Sequence, residues 1–199
     1  MNEFTDYFSL RSSTMNACSM THDARDKARL TWACSDGPHA KPGTEAVDVY
    51  LQDPAPRDKP LNFVMFGGIT VLHQELLDLL GADNIERDLY IGRVYGRGGK
   101  LLNDWVSARG RRHLILRGSR EARYRVCAGC GRVLYSAMGK QYLYPAPPTD
   151  AAIYESDLLG FVVTHDIAER IAARKWRRIS VDPLPVLDEP LDGLGSLPV

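Results

Sequence analysis

Apolar positions along this chain recur in two periods, and the switches between them mark out elements. Phe63-Val-Met-Phe66 is a short continuous apolar run, as expected of a strand buried on both faces. Gly67 and Gly68 make a turn, and Thr70 is placed to cap a helix. Leu72, Leu76, Leu79 and Leu80 follow at helical spacing, and Gly81 suits the helix end. Asp88 to Tyr95, with Leu89, Ile91 and Tyr95, returns as a strand. The same order comes again later: Gly160 to Val163 is a strand and Thr164 a cap. Ile167, Ala168, Ile171 and Ala172 form a helical face, Trp176 anchors its end, and Arg178 to Val181 returns. Two copies of one strand-helix-strand pattern predict an α+β fold, with helices laid on a mixed sheet.

Between the two units the pattern is less regular. Leu101, Leu102, Trp105 and Val106 suggest a short helix. His113 to Leu116, Tyr124 to Val126, Val133 to Tyr135 and Gln141 to Tyr144 read as strands of hairpins, with turns at Arg117-Gly118-Ser119 and Gly139. Residues 1–60 are the least defined. Tyr7 to Leu10 and Ala46 to Leu51 have strand character, and Thr21 to Trp32 reads as an exposed helix capped by Thr21. Prolines sit at the joints and leave Leu61 to Tyr144 and Thr149 to Asp182 free of them. The expected organisation is one domain over 1–199, divisible into two lobes. Residues 61–144 hold the first unit and the hairpins, 150–186 the second unit, and 187–199 a tail.

Composition narrows the function classes. No apolar run approaches the length of a membrane span, and the first residues lack a basic and apolar leader, so a cytoplasmic location is expected. The formal net charge is +0, against a dedicated nucleic-acid binder. The charge is unevenly spread, however. Ten basic residues lie between Arg93 and Arg125, opposed only by Asp104 and Glu121. Glu75, Asp78, Asp83, Glu86 and Asp88 crowd the first unit's helix and the turn after it. Such runs are ordinarily solvated faces; the sharper reading is an acidic surface for a basic partner.

The chemistry-bearing stretch is Cys127-Ala-Gly-Cys-Gly131-Arg132, between two predicted strands. Two cysteines at this spacing with a following glycine form a knuckle that turns both sulfurs toward one centre, half of a tetrahedral zinc site. The other ligands would come from Cys18, Cys34, His22, His39, His73, His113 or His165. Cys18-x3-His22 and Cys34-x4-His39 have ligand-like spacing. The alternative is a set of reduced structural thiols without metal, which for four cysteines in a chain of this size is the commoner outcome. Tyr95-Gly-Arg-Gly-Gly-Lys100 lacks the ending of a phosphate loop. Ser156-Asp157 and His165-Asp166 are not part of any glycine-flanked nucleophile or paired-carboxylate pattern. A binding protein is expected, not an enzyme.

From about Arg117 to Val186 the order of features resembles the double-CXXCG family of bacterial immunity proteins. The features are the Cys127 to Arg132 knuckle, a short hairpin, a proline-rich loop, Asp157-Leu-Leu-Gly-Phe-Val-Val163, the Thr164 to Lys175 helix and Ile179 to Val186. The family name records two CXXCG motifs, and this chain contains the second alone. The resemblance implies a cytoplasmic protein, encoded beside a polymorphic or contact-delivered toxin (type VI secretion being one route), that binds the toxin and blocks it. A nuclease is the leading toxin class. Its basic cleft would meet Glu75, Asp78, Asp83, Glu86 and Asp88. The competing expectation is a zinc-knuckle nucleic-acid-binding module that uses the block from Arg93 to Arg125.

Overall fold

A computed structural model describes residues 6–12, 17–37, 39–42, 44–45, 48–56, 61–64, 69–137, 139–156, 160–176 and 178–191. In chain order its elements are β1 (Tyr7–Ser12), β2 (Ala17–Cys18), α1 (His22–Thr31), β3 (Val49–Tyr50), β4 (Leu61–Val64), β5 (Thr70–His73), α2 (Gln74–Leu80), α3 (Ala82–Asp88) and β6 (Leu89–Tyr95). A 3-10 turn (Arg97–Gly99) leads to β7 (Leu101–Gly110), β8 (His113–Leu114), β9 (Arg117–Gly118), β10 (Arg123–Val126), β11 (Val133–Ala137) and β12 (Gln141–Tyr142). The last four are β13 (Ile153–Ser156), β14 (Phe161–Thr164), α4 (His165–Ala172) and β15 (Ile179–Leu184). The α+β class expected from the sequence is the observed one.

Two strand-helix-strand units are present, the first led by β5 and not by the expected run from Phe63, and they share a topology that periodicity alone does not reveal. In the six-stranded sheet, ordered β2-β4-β5-β7-β6-β3, the strands β5 and β6 are separated by β7, antiparallel to both. In the five-stranded sheet, ordered β15-β1-β14-β13-β8, the strands β14 and β15 are separated by β1, again antiparallel to both. Each unit is thus split by an inserted strand. Helices α2 and α4 pack against each other. One apolar cluster takes in Leu72 and Leu89 of the first unit, Phe161 and Val163 of the second, and the helical Leu76, Leu80, Ile167 and Ile171. Burial on both sides of a helix pair is the stabilising term here, about 1.5–3 kcal/mol per buried large aliphatic side chain.

The other face of the six-stranded sheet is covered by α1. Thr21 caps it, accepting from the Ala24 amide at 3.4 Å as its position predicts. Ala24, Ala28 and Trp32 recur at i, i+4 and i+8 and join a second cluster with Ile69, Val71, Val94 and Trp105.

Three expectations are corrected. Thr70 does not cap a helix: it opens β5, and the helix begins at Gln74 with His73 as its cap. All four residues of β5 are buried, because the strand lies between β4 and β7 with cores on both faces, so it shows no alternation to read. Leu101 to Val106 are not helical but the first part of the ten-residue β7. The acidic segment is two short helices that meet at Gly81 (φ 86°, ψ 136°), not a helix and a turn. The expected strand end at Phe66, the turn at Gly67 and Gly68, and Asp157 to Leu159 fall outside the described residues.

Candidate metal centre

Two tight turns, far apart in sequence, meet at one point. The first follows α1. The Cys34 amide donates to the His39 carbonyl at 2.8 Å, the His39 amide donates to Gly37 at 2.8 Å, and Ala33 pairs with Ala40 across the hairpin. Cys34 and His39 are therefore directly opposed. The Asp36 amide donates to the Cys34 sulfur at 3.5 Å.

The second is the knuckle that joins β10 and β11. The Cys127 amide donates to the Arg132 carbonyl at 2.9 Å, and the Gly131 amide donates to the Cys127 carbonyl at 2.8 Å. Gly131 sits at φ 74°, which a side chain would strain. Gly129 lies against the first turn: a Cβ there would come within 2.7 Å of the Asp36 carboxylate. The glycines let the loop fold tightly and let it touch its partner.

Cys34, His39, Cys127 and Cys130 offer ligand atoms that all lie within 4.8 Å of one another. The Cys34 and Cys127 sulfurs are 3.6 Å apart, and His39 Nε2 is 3.3 Å from the Cys130 sulfur. Tetrahedral ligands about 2.0–2.3 Å from one ion stand about 3.5–3.8 Å from each other, so the spacings fit a metal ion. Cys34 and Cys127 are buried; His39 and Cys130 are half-buried.

The electrostatics suit ligation. Burial and the Arg132 and Arg125 guanidiniums lower the His39 pKa against an opposing pull from Asp36, so the imidazole stays neutral. Burial alone would raise the Cys127 thiol, but hydrogen bonds from Cys34, from the Gly129 and Cys130 amides and from the Cys130 thiol bring it below its usual range. Burial and its two cysteine neighbours push Cys130 up to about 11, against a hydrogen bond from the Arg132 amide. The two knuckle thiols are thus set apart, Cys127 lowered and Cys130 raised.

The structure selects among the seven sequence candidates. Cys34 and His39 join Cys127 and Cys130. Cys18 lies buried in the cluster beneath α1, and His22 stands exposed beside Asp26 at 3.1 Å. His73 caps α2, and His165 pairs with Glu169. Among the described residues this is the group of histidine, cysteine and carboxylate side chains close enough to hold a metal ion.

Spacing gave no signal for a buried charged group beside the centre. Arg109 Nε donates to Glu155 Oε2 at 2.7 Å, the Gly110 amide donates to the same oxygen at 3.1 Å, and Arg132 lies 3.9 Å from Glu155 Oε1. Arg109, Arg132 and Glu155 are all buried. Charged residues ordinarily read as surface, which is why these did not stand out.

The expected binding faces are altered as well. Glu75, Asp78, Asp83 and Glu86 are exposed on α2 and α3. Asp88 is not available to a partner. It is 1% exposed, pairs with Arg87, and accepts from the Ala152 and Ile153 amides at 2.8 and 3.0 Å, tying α3 to β13. A carboxylate at the end of an acidic run looks like surface in sequence; the Ala152 and Ile153 amides and one arginine draw it inside. The basic block is interrupted too. Arg109 and Arg117 are buried, Arg112 pairs with Asp150, and Arg111 lies over the Tyr90 ring.

Among the described residues no helix is long and apolar enough to cross a membrane. No protein-family model and no curated protein matches the chain.

Proposed function

We propose that this chain is an immunity protein that binds and neutralises a cognate bacterial toxin, and that a structural zinc ion pins its two turns together. The observation that supports the reading is the meeting of Cys34 and His39 with Cys127 and Cys130. The family it resembles carries two CXXCG motifs. Here one such motif finds its counterpart in a Cys-x4-His turn, so a two-knuckle centre is assembled from a single CXXCG.

Three thiolates and one imidazole are a zinc donor set. All four positions of a tetrahedron would be taken by protein, which leaves no place for a water or substrate and makes the ion a brace. The chain's own residues then act by presenting a rigid surface. Glu75, Asp78, Asp83 and Glu86, exposed on two short helices, form the acidic face offered to a basic nuclease cleft, where complementary charge speeds encounter and sets specificity.

The test is co-expression with the product of the neighbouring gene, with growth and affinity capture as readouts. Rescue of growth together with a stable complex is the expected result. A neighbouring product that is harmless alone, or one that kills whether or not this chain is present, rules the reading out.

A further inference from the structure

Arg132 reaches both turns of the centre. Its carbonyl accepts from the Cys127 amide at 2.9 Å, and its own amide bonds the Cys130 sulfur. Its guanidinium, on a residue only 5% exposed, donates from Nη1 to the Ala40 carbonyl at 3.1 Å and from Nη2 toward the Ser156 carbonyl at 3.5 Å. Ala40 follows His39 and pairs with Ala33, the residue before Cys34. Arg109 grips the next carbonyl, that of Lys41, at 3.3 Å, and shares the Glu155 carboxylate with Arg132. Glu155 in turn belongs to β13 of the five-stranded sheet and Arg109 to β7 of the six-stranded one.

We infer that Arg132 is the positioning residue of the metal centre, holding the Cys34–His39 pair against the Cys127–Cys130 pair at ligand distance. The inference rests on the zinc reading above. The ligand pairs are 93 and 91 residues apart in sequence, so metal binding alone would have to close a long loop. The Arg132 backbone belongs to the knuckle, and its planar guanidinium, with donors fixed in a fork, reaches the first turn at Ala40 and β13 at Ser156 at once, in a way that a flexible ammonium does not. Partners behind metal ligands commonly contribute about 10–100-fold in affinity.

The experiment is zinc competition against a chromophoric chelator on the full chain, with thermal unfolding of the zinc-loaded and zinc-stripped forms. Arg132→Met is expected to weaken zinc binding about 10–100-fold and to lower the midpoint of the loaded form more than that of the stripped form. A residue that served the fold alone would lower both midpoints equally. Arg132→Lys, which keeps the charge without the fork, is expected to fall between. Should R132M not fold, Arg132→Gln, which removes the charge and the fork but keeps a donor that can reach the Ala40 carbonyl, is expected to weaken binding in the same direction by a smaller factor. Wild-type affinity in R132M, or in R132Q where R132M does not fold, overturns the inference, as does wild-type affinity in R132K. A wild-type chain that takes up no zinc removes the metal reading and this inference with it. Normal uptake with unaffected variants removes this inference alone.

Discussion

The paired strand-helix-strand units and the knuckle region are held by different forces. The units rest on apolar burial. Leu72, Leu76, Leu80, Phe161 and Ile167 lie in one continuous cluster, and each contributes through area removed from water. The knuckle region has little such area to offer. Its hairpin β10–β11 is two-stranded, with Arg123, Arg125 and Val126 exposed, and on the proposed zinc reading its order would come from the four ligand side chains and a few buried polar groups. Apolar burial is non-directional and tolerates loss in part. Ligation is directional and fails at once when a ligand goes.

The largest expected effect is therefore on the knuckle side. Cys127→Ser, or zinc removal by a strong chelator, should abolish stoichiometric zinc binding, since structural zinc supplies about 10–16 kcal/mol of apparent binding free energy in isolated zinc-finger peptides. Amide exchange should rise first in 33–41 and 124–135, while α2 and α4 keep their protection. Simultaneous loss of protection in both regions would mean that they form one cooperative unit and that the contrast is false. Leu76→Ala is the reverse probe. It should lower global stability by about 2–5 kcal/mol, measured by denaturant unfolding, yet leave zinc affinity unchanged in the folded protein.

Acidity separates the regions further. Zinc must displace the Cys130 proton, held at about 11, whereas His39 is already neutral because burial and the two arginines lower its pKa. Zinc affinity should fall as pH drops from 8 to 6, with a slope set by thiol protons. The imidazole adds to that slope only below its ordinary value of about 6.5. A slope that steepens near 6.5 in competition titrations would show that His39 binds its proton normally. The apolar cluster holds none of the four ligand side chains, so this zinc-linked trend belongs to the knuckle side.

The sequence made these two regions legible to different degrees. The second unit is legible because α4 is one-sided: Ile167, Ala168 and Ile171 lie buried and the remainder faces water. The Thr21 cap and the Ala24, Ala28, Trp32 stripe are local and equally plain. The strand β5 was hidden, because a central strand covered on both faces has no alternation, and Leu72 lies four residues before Leu76 by coincidence of a strand running into a helix; in β7, Leu101, Leu102, Trp105 and Val106 happen to fall at helical spacing. The split topology was hidden because β1 reaches its place from the far end of the chain. At the centre, spacing marked Cys127 with Cys130 and Cys34 with His39. Which pairs would meet depends on closure over about ninety residues, and no local pattern encodes it. Asp88, Arg109, Arg132 and Glu155 were unreadable for one reason: burial of a charge depends on partners brought by other elements.

Asp88→Ala probes the seam between α3 and the five-stranded sheet. It leaves the Ala152 and Ile153 amides without their acceptor and should cost about 1–3 kcal/mol for each, with Asp88→Asn recovering part of it. The acidic face gives a smaller effect on the fold. Reversing Glu75, Asp78, Asp83 and Glu86 to lysine should leave unfolding within about 0.5 kcal/mol per site, because all four are exposed. It should slow association with a basic toxin, with the difference shrinking as salt is raised. A loss of stability well beyond that range would mean that these carboxylates serve the fold.

Thr21→Ala is expected to have the smallest effect, and it asks whether the two regions communicate. Thr21 Oγ1 caps α1, and its loss should cost about 1 kcal/mol in denaturant unfolding. Helix α1 ends at Thr31, and Trp32, Ala33 and Cys34 follow directly, so a loosened helix has a short route to the metal turn. That turn, however, has its own hairpin bonds, and the Ala40 and Lys41 carbonyls are held from the opposite side by Arg132 and Arg109. Zinc affinity should therefore stay within about twofold of the wild type while the fold weakens, since sites that share no partner add independently. A matching loss of affinity would make α1 part of the metal brace, and would place the boundary between the two regions at its first turn instead of its last.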